Sequence, residues 1–142
     1  METLDSVIFY TIERAIKKYR QFAQTNITAA GFDITIDQWL VLVTIANKGS
    51  ITQSEIGEIV FKDQASVARI IELLVKKKYL SKTADVSDRR RSFWELTEEG
   101  KVLLVDLREV INSNRSHALT GLADEDISQL RKSLEVIGQN CM

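Results

Sequence analysis

The chain has no proline, six glycines, one cysteine and one histidine in 142 residues. Without proline and with few glycines, forced turns are rare and long helices are expected. The lone Cys141 cannot close an internal disulfide, which agrees with a reducing compartment. A passive terminal thiol is the simpler reading of it than a redox sensor. His117 has no cysteine or carboxylate cluster beside it in sequence, so it is poor material for a metal site. No glycine-rich phosphate loop and no nucleophile elbow is present. With one histidine and one cysteine, the usual metal-hydrolase and Cys–His schemes lack parts. No enzyme activity, no metal and no cofactor are therefore expected. No apolar run approaches the roughly 20 residues of a membrane span. The start, METLDSVIFY, lacks the basic region and apolar segment of a signal peptide. A cytoplasmic protein with no membrane partner follows as the expectation.

What is present is a sequence rich in helical periodicity and uneven in charge. Hydrophobic residues make up 44% of it and charged residues 27%, enough for one compact domain with a core. The net charge is −1. Residues 62–91 alone carry nine basic and four acidic residues, a net of +5, so the rest of the chain carries −6. A positive central segment on an acidic body suits a phosphate-bearing partner better than the total charge suggests.

Residues 4–30 read as one long helix, with Leu4, Ile8, Ile12, Ala15, Ile16, Tyr19, Phe22 and Ala23 on one stripe and Gly31 as its stop. Thr35 with Gln38, and Thr52 with Glu55, have the spacing of capping boxes. Asp63 is placed to cap a third short helix running to about Lys77. The pair at 52–60 and 63–77 reads as a helix-turn-helix. Leu80–Ala84 and Ser92–Leu96 are strand-compatible and flank a charged tip, so a hairpin is expected there. Thr97 can cap a further long helix whose polar end, 112–117, either frays or packs on another chain. Gly121 breaks it, and a last helix starts near Asp124. The fold class expected is mainly α: a winged helix-turn-helix lobe over 35–97 with a two-stranded β wing, inside a single domain 1–142. The flanking segments 4–34 and 98–142 carry apolar stripes too extensive for one small lobe to cover, which points to dimerisation helices.

The third short helix has two faces. Val67, Ile70, Ile71 and Leu74 share the inner one. Lys62, Ala65, Arg69, Glu72 and Lys76 then fall outside, with Ser66 flanking. The start of that outer face is small and polar enough to enter a major groove about 12 Å wide. Arg69 could reach a guanine edge or a phosphate, or instead pair with Glu72. Gln64 and Ser66 could take base or phosphate contacts, and Lys76 a phosphate. In the hairpin tip, Arg89, Arg90 and Arg91 repel one another and gain nothing from a core. Arginine is favoured in a narrow minor groove, and Asp88 stands where a bidentate pair could orient Arg90.

The run Asp88-Arg89-Arg90-Arg91-Ser92-Phe93-Trp94-Glu95-Leu96-Thr97-Glu98-Glu99-Gly100 resembles the wing signature of the MarR family, D-x-R followed by a strand and L-T-x-x-G. Thr52–Lys82 is similar to that family's recognition region, and the resemblance runs from about residue 5 to 140. It implies a homodimer reading double-stranded DNA at a pseudo-palindromic site, with half-sites on the order of 34 Å apart. It also implies that Arg90 enters the minor groove and that Asp88 holds it. A role as a repressor responding to a small aromatic or anionic effector follows from the same resemblance. Tyr19, Phe22 and Trp39 are then candidate pocket linings, although core packing is the default for such residues. Trp94 is expected to pack the hairpin onto the lobe.

Two features depart from the family pattern. Lys78 stands where many members have glycine, so the bend before the wing is expected to be shaped differently. Ala84-Asp85-Val86-Ser87 replaces a wing segment that often contains proline. The competing reading is a winged-helix protein-interaction module, an anti-repressor or scaffold, that does not bind duplex DNA.

Overall fold

The computed structural model describes residues 1–84, 87 and 92–142. The elements follow one another as a 3₁₀ turn (Leu4–Ser6), α1 (Ile8–Ala29), α2 (Ile36–Lys48), α3 (Gln53–Val60), α4 (Gln64–Lys76), β1 (Leu80–Ala84), β2 (Ser92–Leu96), α5 (Glu98–Ala118) and α6 (Asp124–Asn140). This is the mainly helical winged architecture that the sequence suggests.

Local capping sets most of the boundaries. Thr35 Oγ1 accepts from the Gln38 N–H and Gln38 Oε1 accepts from the Thr35 N–H, both at 3.1 Å, a complete capping box. Thr52 Oγ1 accepts from the Glu55 N–H at 3.3 Å, the forward half of the second box. Asp63 Oδ1 accepts from the Ser66 N–H at 2.8 Å and starts α4. Thr97 Oγ1 accepts from the Gly100 N–H at 3.0 Å and starts α5. The N-terminal helix differs from the single run expected over 4–30. Extended backbone at Val7 separates the 3₁₀ turn from α1. The segment 112–117 does not fray: α5 continues through it, and Asn114 is buried.

The core lies under the helix-turn-helix. Ile27 from α1, Val41, Leu42 and Ile45 from α2, Ile56 from α3, and Val67, Ile71 and Leu74 from α4 are sealed from solvent, with Leu80 and Leu107 closing the wing and α5 sides. Each fully buried aliphatic side chain contributes about 1.5–3 kcal/mol relative to exposure. The hairpin is antiparallel, pairing Leu80 with Leu96 and Lys82 with Trp94. Trp94 is half-buried and packs against the core, so it anchors the ribbon as expected.

Two residues sit in the left-handed region without being glycine: Phe61 (φ 60°) and Lys78 (φ 68°). The bend at Lys78 therefore keeps the conformation that glycine would favour, contrary to the differently shaped turn expected from a lysine there. The reason is its surroundings. The Lys78 N–H donates to Val75 O and the Tyr79 N–H to Leu74 O, both at 2.9 Å, while Thr97 Oγ1 donates to Lys78 O at 2.6 Å. Three hydrogen bonds and the buried Leu80 over-determine the turn and offset the strain, roughly 1–2 kcal/mol.

A buried polar contact joins α1 to α5. Asn26 Nδ2 donates to Asn114 Oδ1 at 2.8 Å, and Asn114 Nδ2 reaches Ala23 O at 3.4 Å. Elsewhere the long helices present apolar residues to solvent: Ile8, Phe9 and Ile16 on α1, and Leu130, Leu134 and Val136 on α6. No helix among the described residues is long and apolar enough to cross a membrane.

Candidate nucleic-acid interface and effector cavity

Helix α4 carries the candidate reading surface. Its inner face is fixed by Val67, Ile71 and Leu74, all buried, with Ile70 half-buried beside them. The outer face presents Gln64, Ala65, Arg69, Glu72 and Lys76, every one exposed. Ser66 flanks it, half-buried, and donates to Asp63 Oδ2 at 3.0 Å. Its amide and hydroxyl, both donating to the Asp63 carboxylate, hold that carboxyl below its ordinary value. Arg69 Nη2 reaches Ser66 Oγ at 3.4 Å, so its guanidinium leans toward the helix N-terminus. Gln64 offers its carbonyl to Gln53 Nε2 at 3.4 Å, tying the first turn of α4 to α3.

Lys62 is exposed, as the outer face requires, and is also engaged within the chain. It lies before the N-cap Asp63, and its ammonium sits 3.3 Å from Asp37 Oδ2 in the first turn of α2. The other oxygen of Asp37 accepts from Arg20 of α1. Burial pushes the Asp37 carboxyl up, but hydrogen bonds and charge attraction from Arg20 and Lys62 outweigh it and hold the group below its usual value. Sequence reading missed this constellation, because residues 20, 37 and 62 converge only in three dimensions.

Two glycines make the lobe possible. A Cβ on Gly57 would lie 2.7 Å from Gln64 Nε2 and 2.9 Å from Lys62 O, so the close approach of α3 to the turn requires glycine. A Cβ on Gly100 would lie 2.3 Å from Tyr79 O. That contact gives a physical reason for glycine at the end of L-T-x-x-G: the first turn of α5 presses on the backbone that leads into β1. The wing residues Asp88, Arg89, Arg90 and Arg91 lie outside the described residues.

Of the three aromatic candidates for an effector pocket, Tyr19 and Phe22 stand on α1 and Trp39 on α2. Phe22 stacks on His117, ring centroids 5.1 Å apart, and Tyr19 is half-buried on α1. Trp39 lines a cavity of about 440 Å³ between α2 and α5. Its other walls include Asn47, Leu104, Arg108, Asn112 and Arg115. The Arg115 guanidinium lies 5.7 Å from the Trp39 ring centroid, within cation–π range. The arginines of α5 were not anticipated, since their spacing looks like an ordinary solvated helix face. A second cleft, of about 600 Å³, runs between the end of α2 and the wing strand β2, lined by Gly49, Phe93, Trp94 and Lys101 among others. Among the described residues no group of three or more His, Cys, Asp or Glu is arranged to hold a metal ion.

A capped helix-turn-helix with a β-ribbon packed beside it defines the class of winged helix-turn-helix proteins. Comparison with known proteins narrows the class. A family model described as the MarR family matches residues 32–91. The HTH-type transcriptional regulator SarZ of Staphylococcus aureus is 30% identical over 104 residues, covering 72% of this chain and 66% of SarZ, just under two thirds of that relative. Among solved structures, a probable transcriptional regulator from Pseudomonas aeruginosa superposes with a TM-score of 0.83 at 26% identity, covering 95% of this chain and 99% of its own. BpsR of Bordetella bronchiseptica, described with regulation of its DNA binding by 6-hydroxynicotinic acid, superposes at 0.88 with 21% identity over 97% of each chain. The chain is similar to the MarR family over its central segment, and SarZ and the Pseudomonas aeruginosa protein are both described as transcriptional regulators.

Proposed function

We propose that this chain is a homodimeric, sequence-specific DNA-binding transcriptional regulator, acting as a repressor on a pseudo-palindromic operator. One observation carries the reading. Helix α4 is sealed on one face by Val67, Ile71 and Leu74 and exposes Gln64, Ala65, Arg69 and Lys76 on the other, with Glu72 between the two cations. Gln64, Ala65, Ser66 and Arg69 are the groups suited to base edges, and Lys76 is suited to a phosphate. The arginines 89–91 are assigned the adjoining minor groove, with Asp88 as the support of Arg90. The exposed apolar faces of α1 and α6 support a dimer, since such faces on a chain of this size mark an interaction surface. The repressor sign follows the family resemblance.

The same reading includes an effector. The cavity beside Trp39 offers a flat ring and two guanidinium groups, Arg108 and Arg115, a combination suited to an aromatic carboxylate. The aromatic acid named for BpsR is of that chemical class. Trp39 stays in the proposed pocket; Tyr19 and Phe22 leave it, because neither lines this cavity.

The test pairs sedimentation with DNA binding. The parent should sediment as a dimer at micromolar concentration and shift duplex DNA in a salt-dependent manner. Arg90→Ala should weaken specific binding sharply and leave the dimer intact. A folded monomer, or parent-like operator binding by Arg90→Ala, would refute the assignment. A dimer that ignores duplex DNA at low salt would favour a protein-interaction module instead.

A further inference from the structure

We propose that Lys62, although it belongs to the basic segment, is not a phosphate contact but one end of a charged strut, Arg20–Asp37–Lys62, that positions the recognition helix against α1. The inference rests on the DNA-binding reading above and deepens it by removing one cation from the contact set and giving it a positioning role.

Three observations converge. First, the strut joins three separate pieces of chain: α1, the first turn of α2, and the link between α3 and α4. All three side chains are 30–38% exposed, so the pairs are partly shielded from screening. Second, the backbone that carries Lys62 is held in place. Phe61 before it is held in the left-handed conformation, and the Lys62 N–H donates to Gly57 O at 3.0 Å. Lys62 O lies against Gly57 so closely that a Cβ there would clash, and Asp63 after it is committed as the N-cap of α4. Third, Asp37 has both carboxylate oxygens engaged, one by each cation, so it bridges Arg20 and Lys62. The three groups together carry a net charge of +1, so what the geometry takes from DNA is reach, not charge: to meet a phosphate, Lys62 would have to give up its contact with Asp37 and untie the link between α3 and α4 from α2.

The strut has a consequence for specificity. α1 lies in the segment assigned to dimerisation, and α4 is the reading helix. A link between them fixes where α4 stands relative to the subunit interface, and so the separation of the two reading helices. Lys62 is thus a positioning residue.

The experiment uses the whole protein and two readouts. In the first, parent, Lys62→Met and Lys76→Met are titrated with a random-sequence duplex across a salt series. Each phosphate contact contributes about 0.9 to the slope of log K against log salt. Lys62→Met should keep the parent slope, whereas Lys76→Met should lower it by about one contact. A drop of that size in Lys62→Met would overturn the proposal. The second readout needs no DNA: the Asp37 carboxyl carbon is followed by NMR as pH falls. In Lys62→Met its midpoint should move up toward the ordinary carboxylate value near 3.8, and an unchanged midpoint would equally overturn the strut. Should the parent ignore duplex DNA, the DNA-binding reading fails, while the carboxyl titration still decides whether the strut exists.

Discussion

Replacing Phe61 by glycine should make the protein more stable, although phenylalanine is large and apolar and glycine is neither. Phe61 stands at φ 60° and ψ 42°, the left-handed region, where its Cβ crowds the neighbouring carbonyl. That conformation costs a side-chain-bearing residue about 1–2 kcal/mol. Glycine removes the crowding but enlarges the unfolded ensemble, which returns about 0.5–1 kcal/mol. Against this stands the lost burial. Phe61 is 91% exposed, so about 20 Å² at most is at stake, worth about 0.5 kcal/mol. The net expectation for Phe61→Gly is a gain of up to about 1 kcal/mol. For a chain of this length that is a rise of about 1–4 °C in Tm. Phe61→Ala is the control, because alanine keeps the Cβ and therefore the strain. It should fall within about 0.5 kcal/mol of the parent. Thermal unfolding of the three proteins at one fixed concentration reads both effects, the fixed concentration being needed for a dimer. If Phe61→Gly is no more stable than Phe61→Ala, the strain is not there and the reasoning about this turn is wrong.

Other perturbations follow from the same geometry. Lys78→Gly, at φ 68° with its hydrogen bonds made by backbone atoms, should also gain up to about 1 kcal/mol in urea unfolding, and a loss would count against strain at the bend. Asn114→Ala should cost about 2 kcal/mol in the same assay, since it strands the Asn26 amide that now donates at 2.8 Å between α1 and α5. Gly100→Ala should cost at least about 2 kcal/mol, because its Cβ would meet Tyr79 O at 2.3 Å and displace the first turn of α5; near-parent stability would show that this junction yields easily. The Asp37 pairs contribute stability that is fully present above the unfolded carboxyl value near 3.8 and is lost as pH falls through the lower folded value. Asp37→Asn should therefore lower stability at neutral pH and flatten the acid limb of stability against pH, so that variant and parent converge as pH falls through that window.

How much of this was legible in the sequence depends on how local each cause is. Caps at Thr35, Thr52, Asp63 and Thr97 act over three residues, so the starts of α2, α3, α4 and α5 could be read directly. The two faces of α4 follow from periodicity, and burial sorts them as the sequence does. The break at Val7 was hidden because Leu4 and Ile8 keep the helical spacing across it. At Lys78 sequence propensity argued against the left-handed bend, and tertiary hydrogen bonds with Thr97, 19 residues on, overrode it. The pairing of Lys62 with Asp37, and the placing of Arg115 over Trp39, join residues far apart in the chain. No periodicity records such contacts. The stacking of Phe22 on His117 likewise joins α1 to the far end of α5 and leaves no trace in the spacing.

The most direct measurement is selection of bound fragments from a pool of random duplexes by the purified protein, followed by sequencing. Two half-sites in inverted orientation, about ten base pairs centre to centre, are the expected outcome, with enrichment that collapses in Arg69→Ala. Recovery of fragments with no shared sequence and no symmetry, at salt low enough to retain DNA, would contradict a sequence-reading dimer.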